Sequence, residues 1–188
     1  MLGKQKMTPQ QEVANALTML LPSLVAASAA WTHWPHPWLT GLLIAATMHL
    51  PVSVAYHLVS MQRANPVLCR LDQTMLHVSG TLFAFVLSRG AWPYALVHAC
   101  LTLHSVPKLW RQRRRRWPPV AVSVLLWLLP MAVSWRHFVV AALLFFVGAI
   151  GFVWNEPLFG GWGHALFHVA TAGTMRVMCR FCVAHSVY

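Results

Sequence analysis

Acids are almost missing from this sequence: among 188 residues there are three, Glu12, Asp72 and Glu156, and charged residues of both signs make up only 9%. A water-soluble domain of this size presents a charged, polar surface, and a composition that is 58% hydrophobic leaves too little material for one. The same scarcity excludes a disordered chain and a coiled coil, both of which need far more charge. Cysteine is scarce too. Cys69, Cys100, Cys179 and Cys182 are too scattered for a disulfide framework, and the Cys179-Arg-Phe-Cys182 spacing, at the end of an apolar run, reads as packing. Internal repeats and low-complexity segments are also lacking. What fits is a single membrane bundle: at about 20 residues per span with short loops, this length holds six or seven helices and no soluble domain.

Breaks at Pro, Gly, Trp and charge divide the chain into Ala14–Trp31, Trp38–Met61, Leu71–Ser88, Ala91–Val106, Pro119–Trp135, Phe138–Trp154 and Trp162–Cys182. The expected fold is therefore an all-α bundle of seven transmembrane helices. Trp31, Trp34, Trp38, Trp117, Trp135, Trp154 and Trp162 fall at the segment ends, as an interfacial aromatic belt requires. Pro22, Pro51, Pro93 and Pro130 lie inside segments and are expected to kink them. Lys4 and Lys6 ahead of a Leu-rich run ending Ala-Ala-Ser-Ala-Ala have the form of a cleaved signal. The apolar stretch is of spanning length, however, and cleavage would remove the first of the seven.

The chain carries fourteen basic residues and a net charge of +11. In a soluble protein that balance suggests nucleic acid; here the basic residues concentrate in one loop between apolar segments, which excludes a nucleic-acid groove. With the amino terminus cytoplasmic, Lys4, Lys6, Arg63, Arg70, Lys108, Arg111, Arg113, Arg114, Arg115 and Arg116 share its side, against Arg89, Arg136, Arg176 and Arg180 opposite. Ten against four favours that orientation. Arg111, Arg113, Arg114, Arg115 and Arg116 then read as a topology signal in contact with anionic lipid head groups.

An ionisable group in hydrocarbon costs about 2.5–3.5 kcal/mol on insertion scales, so intramembrane Asp and His are functional candidates. Ser53 and His57 lie four apart near the end of the second segment. Asp72 opens the third and is the only intramembrane carboxylate of the seven segments; His164 and His168 lie four apart at the start of the seventh. All five belong to the cytoplasmic leaflet. Residues i and i+4 share a helical face, so His164 and His168 can hold one ion at Zn–N distances of about 2.0–2.1 Å. His57 can supply a third nitrogen, and three protein ligands with an open fourth position form the pattern of a catalytic zinc. Asp72 can orient the metal's water or take its proton, and the Ser53 hydroxyl can donate to a carbonyl or oxyanion. Taken singly, each has a plainer role: belt or packing histidines, a back-bonding serine, an aspartate capping its helix. Other polar residues are set aside: His49 as a packing residue or a support to the site, His77 as off its face, His98 and His104, six apart and not sharing a face, as ordinary buried or interfacial histidines, His33 and His36 as interfacial, and Arg176 and Arg180 as snorkelling outward.

The string Ser53-Val-Ala-Tyr-His57, then Asp72 fifteen residues on, then His164-Ala-Leu-Phe-His168, resembles the signature of the CREST superfamily, which includes progestin/adipoQ receptors, haemolysin III proteins and alkaline ceramidases. The resemblance implies seven transmembrane helices and a zinc site with His57, His164 and His168 as ligands and Asp72 and Ser53 around its water. Ser-x-x-Tyr-His looks more like the adipoQ-receptor and haemolysin III form, and Gly163-His-Ala-Leu-Phe-His168 also looks like the ceramidase form. The calcium-binding acidic amino-terminal segment of alkaline ceramidases has no counterpart, since residues 1–30 contain one acid, Glu12. The expected activity is zinc-dependent cleavage of an amide or ester bond in a membrane lipid. The alternative is a receptor or structural membrane protein in which zinc only pins helices together. Haem or ion transport fits less well, because His164 and His168 share one face and the far leaflet lacks acids.

Overall fold

Three of the helix starts have a capping residue followed by proline. Thr8 and Gln11 form a capping box in which the Gln11 amide donates to the Thr8 hydroxyl and the Thr8 amide to the Gln11 side chain, starting α1 (Pro9–Thr18) with proline in its first turn. Pro22 has no N–H to give the Thr18 carbonyl, so the helix breaks at Met19 and resumes as α2 (Leu20–Thr32). His36 followed by Pro37 starts α3 (Pro37–Ser60), and Asn65, accepting from the amides of Val67 and Leu68, starts α4 (Pro66–Leu87). Then follow α5 (Trp92–Arg111), α6 (Trp117–Leu128) running into a 3₁₀ turn Leu129–Val133, α7 (Trp135–Val153), the short α8 (Asn155–Phe159) and α9 (Gly163–Ala184). This computed structural model describes residues 7–63, 65–111 and 117–185; among them every regular element is helical and there is no strand. Arg113 to Arg116, assigned above to lipid head groups, lie outside the described residues, whereas Arg111 closes α5 and is exposed.

Three stretches are long and apolar enough to cross a membrane: Pro9–Thr32, Pro37–Ser60 and Trp135–Val153. The helices α4, α5 and α9 are long enough but too polar, and α6 supplies only the shorter apolar stretch Ala121–Val133. Histidines, hydroxyls and arginines within α4, α5 and α9 account for the difference. Two of the prolines also depart from expectation. Pro93 sits in the first turn of α5, where it costs no hydrogen bond, and Pro130 marks where α6 has already tightened into the 3₁₀ turn. Pro51 lies within α3 without ending it, and α5 continues through Pro107.

Packing divides the molecule into two ends. Leu39, Leu42 and Ala46 at the start of α3, Ala84, Val86 and Leu87 at the end of α4, and Met175, Met178, Phe181 and Cys182 at the end of α9 form a continuous buried core with Leu128 and Met131. Cys179 and Cys182 are free thiols within it. The opposite ends of α3, α4 and α9 converge on the polar cluster described next. The carboxyl end of α5 comes back to that same end, because Trp110 donates to the Thr74 hydroxyl at 3.1 Å and stacks under Arg70.

The helices α7 and α9 meet along small residues, as close helix pairs in lipid do. A Cβ on Gly163 would fall inside the Gly151 carbonyl, and one on Gly148 would lie 2.8 Å from the Ala170 methyl. Gly163→Ala is therefore expected to cost about 1–3 kcal/mol of stability by overpacking, and to displace the adjoining His164. A thermal melt checks the first effect and metal affinity the second.

Candidate metal centre

α9 begins at Gly163, with the His164 amide donating to the Asn155 side chain at 3.1 Å, so His164 and His168 occupy its first two turns. His57 reaches the same place from the last turn of α3. The ligating atoms of His57, His164 and His168 all lie within 4.8 Å of one another, and this group can hold a metal ion. Ring centroids are 4.8 Å apart for His57 and His164, 4.8 Å for His164 and His168, and 5.9 Å for His57 and His168. Nitrogens at tetrahedral bond lengths are about 3.4 Å apart, so small side-chain rotations close the remaining gap. His57 is wholly buried and His168 only 4% exposed; Phe152 packs edge-on against His164.

The hydrogen bonds decide which nitrogens face inward. His57 Nδ1 lies 2.7 Å from Glu12 Oε2, and its Nε2 is buried with no hydrogen-bond partner. His168 Nδ1 lies 3.0 Å from the Asn15 carbonyl and 3.1 Å from Thr18 Oγ1. Since Thr18 donates its own proton to the Ala14 carbonyl at 2.7 Å, its oxygen is left to accept from His168. Both imidazoles thus carry the Nδ1 proton and aim a lone pair from Nε2. An orphaned buried nitrogen among two more imidazoles fits a metal and is otherwise costly.

Asp72 stands close enough to His57 and His168 to interact electrostatically with both. Its carboxylate accepts from His49 Nε2 at 2.8 Å, with the Ser53 side chain also within hydrogen-bonding reach. The helix α3 therefore contributes His49, Ser53 and His57 from one face at intervals of four, and Pro51 does not prevent it.

Two expectations need correction. Asp72 does not open its helix: Asn65 and Pro66 start α4 earlier, so Asp72 caps nothing and its carboxylate is turned to the histidines. Nor is it the only carboxylate within the helices, because the Thr8 capping box starts α1 ahead of Ala14 and brings Glu12 into the interior, 5% exposed at its side chain. His49, set aside above, is the partner of Asp72. His77 and His98 lie apart from the three ligands. His98, wholly buried, is held between Ser123 Oγ at 2.7 Å and Thr81 Oγ1 at 3.0 Å, tying α4, α5 and α6 together. His36 caps α3, and His104 pairs with Lys108 at 2.7 Å on the surface of α5.

No protein-family model, curated protein or solved structure matches this chain.

Proposed function

We propose that this chain is a zinc-dependent intramembrane hydrolase that cleaves an amide or ester bond of a lipid, built as a seven-span bundle with its amino terminus cytoplasmic. The observation that carries the proposal is the meeting of three imidazoles from α3 and α9, His57 and His168 buried and His164 half-buried, with the Asp72 carboxylate near them. Three neutral nitrogens and an open fourth position suit zinc. Glu12 and Asp72, two of the chain's three acids, place two negative charges around the group, which balances a dication where uncompensated charge is expensive. A zinc ion bound there supplies Lewis acidity, polarising a carbonyl and lowering the pKa of water to about 7.

The side chains divide the remaining work. Asp72 takes the proton of the attacking water and returns it to the leaving amine or alcohol, held in aim by His49. Ser53 donates to the carbonyl oxygen as it gains charge; with no substrate bound, the Asp72 carboxylate is the acceptor at hand. The location selects the substrate class, since a site among apolar helices meets lipid at high local concentration. Arg70, Lys108 and Arg111 at the same end suit anionic head groups, and this role extends to Arg113, Arg114, Arg115 and Arg116. The resemblance to the CREST superfamily agrees with this reading.

One observation favours a second reading. The near-complete enclosure of His57 and His168 also suits a metal that only pins α3 to α9 in a receptor or structural protein. Purified protein incubated with mixed lipids, with and without a chelator, separates the two. Chelator-sensitive release of fatty acid is expected, and stoichiometric zinc with no acyl product from any lipid class would select the second.

A further inference from the structure

We infer that Glu12 is a positioning residue for the metal centre, and that α1 is the element that presets two of its three ligands. The inference rests on the metal reading above. Its basis is that both outward-facing histidine nitrogens are satisfied by one short helix. Glu12 Oε2 takes His57 Nδ1 at 2.7 Å, and the Asn15 carbonyl takes His168 Nδ1 at 3.0 Å. The two acceptors lie three residues apart, on one face of α1. An ionised carboxylate can only accept, so Glu12 puts the His57 proton on Nδ1 and leaves the lone pair on Nε2, the buried atom with no partner of its own. Without Glu12 the imidazole is free to take the other tautomer, which presents an N–H where a ligand is needed.

The helix α1 is the first part of the Pro9–Thr32 stretch, set off at both ends. Its carboxyl end is separated from α2 at Met19, and its amino end is latched by Gln11, whose Nε2 donates to the Gly160 carbonyl at 2.8 Å in the turn ahead of α9. Gln11, Glu12, Asn15 and Ala16 are its buried residues, so the face that docks is the face that holds the histidines. Glu12 also places its carboxylate against the outer nitrogen of a ligand, the carboxylate–histidine–metal arrangement that fixes the orientation of the ring. The sequence sets this acid 45 residues from His57, on a different helix.

Zinc titration of the full-length protein in detergent against a competing chelator is the test. Glu12→Ala is expected to weaken zinc binding toward 100-fold, and Glu12→Gln, whose amide oxygen still accepts from Nδ1 but lacks the charge, about tenfold. In the metal-free protein, ¹⁵N spectra of the histidine rings should show His57 protonated on Nδ1 in the wild type and in Glu12→Gln, and a tautomer mixture in Glu12→Ala. Glu12→Gln is nearly isosteric, so it carries the comparison even where the alanine variant folds poorly. Wild-type affinity in Glu12→Gln with an unchanged His57 tautomer in Glu12→Ala, or wild-type affinity in both, overturns the inference and leaves the metal site standing. A wild-type protein that binds no zinc overturns the metal reading itself, and the inference with it.

Discussion

Asp72→Asn is expected to leave zinc bound and to lower lipid hydrolysis by about 10²–10⁴-fold, the usual contribution of a positioned general base. Asp72 is not one of the three ligands, whose nitrogens lie within 4.8 Å of one another without it. Asparagine preserves its shape and can still meet His49, which now lies 2.8 Å from the carboxylate, so the helices should not move. What the amide cannot do is take a proton from water. The measurement is paired: zinc content and acyl release from the same preparation. Turnover at the wild-type rate with zinc retained would remove Asp72 from the reaction, and loss of zinc would mean that it serves the metal rather than the proton.

His57→Ala should have the largest effect on the protein itself. It removes a ligand from a three-ligand site, and it leaves the Glu12 carboxylate, 5% exposed, without its hydrogen-bonded counterpart among the described residues. An uncompensated buried charge costs about 3–5 kcal/mol when its partner is deleted. The signature that separates this from a simple cavity is non-additivity. The double variant Glu12→Ala with His57→Ala should be more stable than His57→Ala alone, because it removes the stranded charge, while neither variant regains zinc. Thermal melts of His57→Ala and the double variant read the first comparison and chelator competition the second. Equal destabilisation of the single and double variants would show that Glu12 is not held by His57.

Most helix positions and the pairing of His164 with His168 were legible because both obey local rules, apolar runs punctuated by proline and tryptophan and ligands four apart on a face; His57, on another helix, was grouped with them by the expected topology and the resemblance. The ends were less legible. Asp72 was placed at a helix start because Leu71 is where the apolar pattern begins, yet Asn65-Pro66, a cap followed by proline at the first helical position, begins α4 sooner. Glu12 was missed for the same kind of reason. A polar stretch ahead of an apolar run looks like a head outside the membrane, and the local signal that extends the helix through it is the Thr8 to Gln11 capping box. Even with that helix in place, its pairing with His57 depends on how α1 docks between α3 and α9, and nothing in residue spacing encodes it. His49 was read as packing or as a support to the site, and the support role holds: α3 runs on through Pro51, keeps His49, Ser53 and His57 in line, and sets His49 against Asp72. The polarity of α4, α5 and α9 has a common source in the buried histidines and hydroxyls that they carry.

The most direct measurement is metal content with X-ray absorption at the zinc edge on protein purified without added metal. One zinc per chain, with three nitrogen neighbours at about 2.0–2.1 Å and a fourth light ligand, is the expected result, lost when His57, His164 and His168 are replaced together. Protein that is folded and monodisperse yet carries no divalent metal, or zinc that persists in the triple variant, would contradict it.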